Sequence, residues 1–368
     1  MAVETGLPGY KTGLTSFCLD TTGNNSSDPC KIVYVGGMRS TGTAVSGKLV
    51  KVTSLRDAIL KFGEGSPLAI AAELHFRAAP VGDYTVELYV IPYAEDSAGV
   101  SAVHTVTFTG TATESKTMYF RLNNTLYAIA VYAAYTATQV AAAVAAKVNA
   151  DTSSPFTATY TAGVVTFTAK VKGTFGNTFV FNTEPMVGNT LPSGVTAAVV
   201  TSATPGSNDP DFSASFATDI GPCCYSCIAD LTMLDVNHDA IVSYLGNNGG
   251  TWSCGRRQCF GHSFHSVQDT ISGMIGYAEA RNSAERNIIP VPKGYHIQPA
   301  LFASVWATRQ CLSACRDVSR PVQYDNGYLI GLEDAGSCAD IFSPEDAELM
   351  ASAGLAIWGV SNNRNTMR

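Results

Sequence analysis

Seven residues, Gly42-Thr-Ala-Val-Ser-Gly47-Lys48, follow the apolar run Lys31–Val35 and satisfy the first part of a phosphate-binding loop. Such a loop works because glycines let backbone N–H groups wrap a phosphate, a lysine reaches the outer phosphates, and a hydroxyl holds Mg²⁺ at a helix N-terminus. Here the residue after Lys48 is Leu49, and Leu49-Val-Lys-Val52 runs on as an extended segment, with a helix expected only after Ser54. The spacing is present without its strand-to-helix context, so the run reads as a turn.

Cys254-x4-Cys259-x2-His262-x2-His265 has metal-ligand residue types. Zinc sites favour cysteine pairs two to four apart and histidine pairs three to five apart. On the strand expected at Gln258–Phe264, Cys259 and His265 would share one face with His262 on the other, so one ion could not gather them. Cys224 and Cys227 have redox-pair spacing but fall in an apolar strand, away from the helix start that stabilises a thiolate. Cys311 and Cys315 are one helical turn apart, which suits a packed face as well as a ligand pair. The chain has no Gly-x-Ser-x-Gly elbow and no His-Glu-x-x-His. His75, His238 and His296 read as ordinary helix or surface residues, and Asp235, Asp239, Glu333 and Asp334 form no justified pairing. The expected set of catalytic, cofactor-binding and metal-binding residues is therefore empty, and no enzyme is expected.

At 368 residues the chain is expected to hold two to three domains. Its 23 Lys+Arg against 30 Asp+Glu give a net charge of −7, and only 14% of residues are charged, against roughly 25% in soluble domains. With 46% apolar residues, so little charge suits an assembly better than a free monomer. Arg256-Arg257 is the densest basic pair, which excludes a nucleic-acid footprint. No stretch reaches the ~18 apolar residues of a membrane span, because Tyr132, Tyr135, Thr136, Gln139 and Lys147 interrupt the nearest approach, Ala128–Ala150. The N-terminus has neither a basic start nor an apolar block, so no secretory signal is read and cytosolic synthesis is expected. The ten cysteines are then expected to be free, mostly buried thiols.

The elements that must position these residues fall into two kinds. Residues 98–205 hold 22 threonines and eight charges. The alternation in His104–Gly110 and Val164–Lys170 predicts half-buried strands. One Ala-rich helix, Thr136–Ala150, carries Val140, Val144 and Val148 every four residues, and Thr201–Pro210 is expected to be a linker. The flanks alternate strands and helices. Strands are expected at Lys31–Val35, Tyr84–Ile91, Tyr225–Ala229, Gln258–Phe264 and Ile288–Val291. Helices are expected at Leu55–Phe62, Pro67–Phe76, Val236–Leu245, Val267–Ala278, Ile297–Asp317 and after Ser343. The predicted fold class is an α/β (α+β) core domain split by an inserted β-rich, β-sandwich-like domain. Its parts are an N-terminal arm or loop at 1–30, the core at 31–97 and 206–368, and the Thr-rich insertion at 98–205.

Several segments in order resemble the contractile-tail sheath proteins of Mu-like phages. Gly42-Thr-Ala leads to Val52-Thr-Ser54, Leu60-Lys-Phe-Gly63 and Gly65-Ser-Pro-Leu-Ala69. Gly110-Thr-Ala-Thr, Ala141–Asp151, Pro155-Phe-Thr-Ala, Val164–Ala169 and Lys172-Gly-Thr-Phe-Gly-Asn177 are similar to the β-rich insertion those sheaths carry on their outer surface. Arg256–Phe264, Ala280-Arg-Asn282, Arg316–Gln323 and Phe342-Ser-Pro-Glu-Asp through Gly354–Trp358 follow in the same order. The resemblance implies a virion structural protein that stacks as rings, usually hexameric, around an inner tail tube. It implies contact with baseplate and tail terminator proteins, assembly in the host cytoplasm, and contraction that drives the tube through the host envelope. It implies no cofactor, no nucleic acid and no membrane insertion. In that family the glycine-rich run is a structural turn, and terminal arms add strands to a neighbour's sheet. The family normally continues well past the Leu-Ala-Ile-Trp strand, whereas this chain ends ten residues after Trp358. That difference leaves a terminator or baseplate-adjacent component as the alternative within the structural class, and a nucleotide-dependent α/β enzyme with a β insertion as the alternative outside it.

Overall fold

The computed structural model describes residues 30–79, 86–185, 188–221, 225–247, 249–253, 260–281, 283–316, 328–333, 342–361 and 364–367. The chain is a mixed α/β protein. Its first described strand, β1 (Cys30–Met38), has Ile32, Val33, Tyr34 and Val35 fully buried, the mark of a parallel strand covered on both faces. The short β2 (Val50–Val52) precedes α1 (Leu55–Phe62), where Asp57 N–H donates to the Ser54 hydroxyl (3.2 Å) and Gly63, at φ 83°, ends the helix. Helix α2 (Pro67–Ala78) starts with proline in its first turn, and Ala69 N–H donates to the buried Ser66 hydroxyl (3.1 Å). Strand β3 (Val86–Ala94) pairs parallel with β1 from Cys30/Val86 to Met38/Ala94. It therefore runs three residues past the Ile91 end expected from alternation, because β1 supplies partners that far.

The Thr-rich segment forms β4 (Ser101–Gly110), β5 (Lys116–Leu122), β6 (Thr125–Val131), α3 (Ala137–Ala150), β7 (Phe156–Thr161), β8 (Val164–Lys172), β9 (Phe181–Asn182) and β10 (Val195–Thr204). They make a four-stranded sheet ordered β10-β4-β8-β7 and a three-stranded one ordered β6-β5-β9. The period-two pattern sends Ala102, His104, Val106 and Phe108 inward, while Val140, Val144 and Val148 bring α3 into the same core. Strand β10 takes Thr201–Thr204 out of the expected linker, since Thr204 still pairs with Val103 of β4.

After α4 (Phe216–Asp219) come β11 (Cys227–Asp230), α5 (Asp235–Leu245), β12 (His262–Asp269), α6 (Ile271–Arg281), β13 (Arg286–Pro292) and α7 (Pro299–Arg316). The central sheet is ordered β13-β12-β11-β1-β3-β2, with only β2 antiparallel. Expected boundaries move at two strands. Strand β11 begins at Cys227 rather than Tyr225. Strand β12 starts at His262 and extends through Val267 to Asp269, so the following helix begins after Thr270, which accepts from Met274 N–H (2.9 Å). In both places pairing within the sheet outweighs local periodicity. The chain closes with β14 (Tyr328–Glu333), α8 (Pro344–Ser352), β15 (Trp358–Ser361) and β16 (Arg364–Met367), the strands forming a sheet ordered β14-β16-β15. Trp358 is buried and its indole N–H donates to Pro290 O (2.6 Å).

The segment from β4 to β10 leaves and rejoins the rest through one junction. Asn177 Nδ2 donates to Gly206 O (3.0 Å) and its Oδ1 accepts from Gly206 N–H (2.6 Å), a side chain acting as a strand partner. The buried Asp209 carboxylate accepts from Thr174 N–H (2.7 Å) and from the Thr174 hydroxyl. Gly173, at φ 100°, lies so close to that carboxylate that a Cβ would collide with it. Asn177→Ala strands both backbone groups of Gly206 and is expected to cost about 1–3 kcal/mol in urea unfolding at unchanged m-value. A loss under about 0.5 kcal/mol would contradict the assigned role of this pair.

Candidate functional site

In open α/β sheets ligands bind beyond the carboxyl ends of the strands, where strand order reverses. Here β1 has β3 on one side and β11 on the other, so that place is the crevice between β1 and β11. The chain fills it. Phe175 and Val171 are buried in the same core cluster as Ile32, Tyr34 and Leu231. Around them stand Met38, Pro210, Asp209 and Thr232, and a cavity of about 20 Å³ is left, roughly one water. A neighbouring cavity of about 180 Å³ is walled by Phe175, Leu231, Met233, Gln268, Gln298 and Pro299, and no titratable side chain lines it. Phosphate or carboxylate ligands find no cation in either wall beyond Lys172, whose ammonium donates to Ser97 O (3.2 Å).

The glycine-rich run turns its backbone donors the wrong way for a phosphate. Gly42 N–H donates to Arg39 O (3.0 Å), Thr43 N–H to Leu60 O (3.2 Å) and Ala44 N–H to Lys61 O (3.0 Å). Two of these acceptors are last-turn carbonyls of α1, the negative end of a helix, whereas an anion needs the positive end. A Cβ at Gly42 would strike Lys61 and Phe62, so the glycine serves close packing. Gly47 N–H is taken by Pro92 O (2.8 Å), and the Asp219 carboxylate lies beside Gly47. These contacts make the run a helix C-terminal clasp, in agreement with the turn expected from sequence.

Residues that sequence spacing left apart meet behind β11 and β12. Asp230, His238 and His265 are each at most 3% exposed. His238 Nε2 lies 3.3 Å from Asp230 Oδ2 and 3.1 Å from Thr232 O, and its ring stacks on His265 with centroids 4.1 Å apart. Tyr277 OH lies 3.2 Å from His238 Nδ1 and donates to Asp235 Oδ1 (2.9 Å). Asp235 pairs with Arg281 (2.9 Å) and Asp239 with Arg286 (2.5 Å). Burial holds the Asp230 carboxyl well above the usual range, against two hydrogen bonds from Thr232 that favour its anion. Burial holds His238 down to about 4, and burial with the neighbouring imidazole and guanidinium holds His265 well below the ordinary value. Burial thus disfavours the charged form of both partners. The pair has the composition of an acid–base dyad, but general acid–base work needs a substrate within hydrogen-bond reach and this group is sealed. His75 is likewise interior rather than a surface residue: its Nδ1 lies 3.3 Å from Tyr34 OH and 3.0 Å from the Thr308 hydroxyl, and burial lowers it to about 4. His296 is also buried. Sequence reasoning missed these interior roles; the signal was their place on apolar faces of α2 and α5.

Among the described residues no group of three His, Cys, Asp or Glu could hold a metal ion. His262 is half-buried and His265 buried, while Cys254, Cys259, Cys224 and Asp334 lie outside the described residues. Cys227 and Cys311 are free and buried, and the hydrogen bond between them together with burial pushes the Cys227 thiol up, the reverse of an activated thiolate. The expectation of free thiols fails at Cys30, which is disulfide-bonded. Compartment sets only a default; whether a bond closes depends on two sulfurs being held together. Glu333 sits opposite Arg364 on β16. Among the described residues no helix is long and apolar enough to cross a membrane.

No protein-family model matches the chain. It is 29% identical over 318 residues to the Mu-like prophage FluMu tail sheath protein of Haemophilus influenzae, a match covering 84% of this chain and 62% of that protein. The chain thus spans less than two thirds of the length of this curated relative, which bears the family name that the ordered segments from Gly42 to Trp358 resemble. Among solved structures it is similar to a sheath tail protein from Listeria innocua, at 11% identity and a TM-score of 0.40, covering 92% of this chain and 68% of that one.

Two outcomes are expected from these sites. Millimolar ATP with Mg²⁺ leaves the melting temperature unchanged; occupancy at a hundredfold Kd would add about 2.7 kcal/mol and raise it visibly. Acid has a larger effect. An imidazole held at about 4 in the fold and at 6.5 when free leaves the unfolded chain with more bound protons between those values. Stability therefore falls as pH drops through that window, by about 3 kcal/mol from each of His75 and His238. Asp230, raised in the fold, works in the opposite direction and offsets part of this. The melting temperature is expected to decline from pH 6.5 to pH 4, less steeply in His238→Gln; a flat profile would contradict the buried neutral histidines.

Proposed function

We propose that this chain is a tail sheath subunit of a contractile phage tail or a related injection machine. The observation that carries the reading is the similarity to the FluMu sheath protein along 84% of the chain. In this reading copies stack as hexameric rings around an inner tube in an extended lattice. A baseplate trigger lets them pass to a shorter, wider lattice that drives the tube through the host envelope. The energy is a difference between two sets of subunit contacts, a bistable packing switch with no nucleotide step. The filled crevice between β1 and β11 supports a structural role, as does a surface with few charges to keep copies apart.

The same proposal assigns 31–97 and 206–368 to a sheath core domain and 98–205 to an outward-facing inserted domain, with 1–30 as an arm that adds to a neighbour's sheet. The core cluster confined to residues between Ala102 and Val195 supports the middle boundary. Partners are further copies, the tube protein, the baseplate and the terminator, in a virion assembled in the host cytoplasm.

Negative-stain microscopy of the purified chain, alone and co-expressed with tube protein from the same gene cluster, tests the reading. Tubular or ring polymers are expected. Monomers alone, under both conditions and at high concentration, would overturn it.

A further inference from the structure

Exposed sheet edges carry unpaired backbone groups that template the addition of another strand, and proteins blunt them with charge, proline, brevity or a covering element. This chain does so at most of its edges. Strand β2 has three residues and carries Lys51, which is paired with Glu87. Strand β13 carries Arg286, Pro290 and Pro292, and Ala356 N–H covers its Ile288 O (2.8 Å). Strand β7 is blocked by α3: Asn149 Nδ2 donates to Ala158 O (2.7 Å) and Asn149 Oδ1 accepts from Ala158 N–H (2.8 Å).

Among the described residues, two edges lack every such device. Strand β6, Thr-Leu-Tyr-Ala-Ile-Ala-Val, pairs among the described residues with β5 alone, and β10 with β4 alone. Neither contains a charge or a proline. In a two-residue hairpin the residues flanking the turn, here Leu122 and Thr125, form the hydrogen-bonded pair. The backbone groups of Leu126, Ala128 and Ala130 therefore point to the open side, and no backbone partner reaches them among the described residues. Exposed apolar side chains gather at the same two edges: Leu126 at 39% and Tyr132 at 57% by β6, Val199 at 39% and Val200 at 51% on β10. A cavity of about 340 Å³, bounded by Leu126 and Tyr127 and by Ile70 and Leu74 of α2, opens beside the start of β6 and leaves room for side chains of an added strand.

We infer that β6 of one copy and β10 of another pair edge to edge, so that the Thr-rich segments of neighbouring copies form a continuous sheet. The inference rests on the sheath reading for the occupant. A second copy fits because the two open edges differ, and a contact between unlike edges propagates head to tail into an open array, as stacked subunits require. Both edges are uncharged, so neither repels the other, and small Ala128 and Ala130 on the exposed face of β6 can lie opposite Val200 and Ala198 on the exposed face of β10.

The test uses the full chain carrying Ala128→Lys or Ala198→Lys, each placing a charge on an exposed position of one edge. Ala130→Lys and Val200→Lys serve as the second pair should either of the first melt early. Sedimentation velocity and microscopy read assembly, and thermal melting reads folding. Each variant is expected to melt like the parent and to need about tenfold more protein to assemble. Folded variants of both edges that assemble like the parent would overturn the inference and leave the sheath reading standing. Loss at β6 without loss at β10 would also overturn it, because β6 would then serve a different chain. A parent chain that never associates would overturn the sheath reading and this inference together.

Discussion

The packing of Phe175 and Val171 against the carboxyl ends of β1 and β11 is the contact on which the rest depends. A parallel strand such as β1 must be covered on both faces, and its end normally leaves a crevice that evolution uses for ligands. Filling it from a segment about 80 residues downstream of β3 ties the Thr-rich sheets to the central one and removes the usual place for chemistry in the same stroke. Asp209 with Thr174 and Gly206 with Asn177 then fix the turn that carries Phe175 to the returning chain, so that Phe175 stays in place.

Much of this architecture was legible in the sequence because it is written in local periodicity. The valines of α3 recur every four residues, Ser54 and Gly63 bracket α1, and the alternation in β4 and β8 marks their buried faces. What was not legible is what the sheet imposes at a distance. The ends of β3, β10, β11 and β12 follow their neighbours' hydrogen bonds, and no local pattern records a neighbour's length. The glycine-rich run was readable as a turn, since Leu49 breaks the phosphate-loop pattern; that its donors clasp the end of α1 needed coordinates.

The buried polar groups show the opposite balance. Single histidines at positions 75 and 238 look unremarkable in sequence and His265 stands out only as a metal-ligand type, yet all three sit in the interior with Tyr34, Thr308, Asp230 and Tyr277 as neighbours. Only tertiary contact brings Asp230 and His238 to 3.3 Å. Such groups fix how α2, α5 and α7 seat on the sheet, because a polar atom buried without its partner is costly and shifted packings would leave several unpaired.

The junction at Asn177 and Gly206 has a mechanical consequence. Both stretches of chain that lead into the Thr-rich segment pass through one place, where Val100 and Ser207 exchange backbone hydrogen bonds and Asn208 Nδ2 donates to Ala98 O. A single tether would let the segment swivel; two tethers locked to each other resist rotation. A load applied to the far end of the segment is therefore carried into the central sheet as torque, with Phe175 as the tooth that engages it, and the Thr-rich sheets behave as a lever arm rather than a pendant.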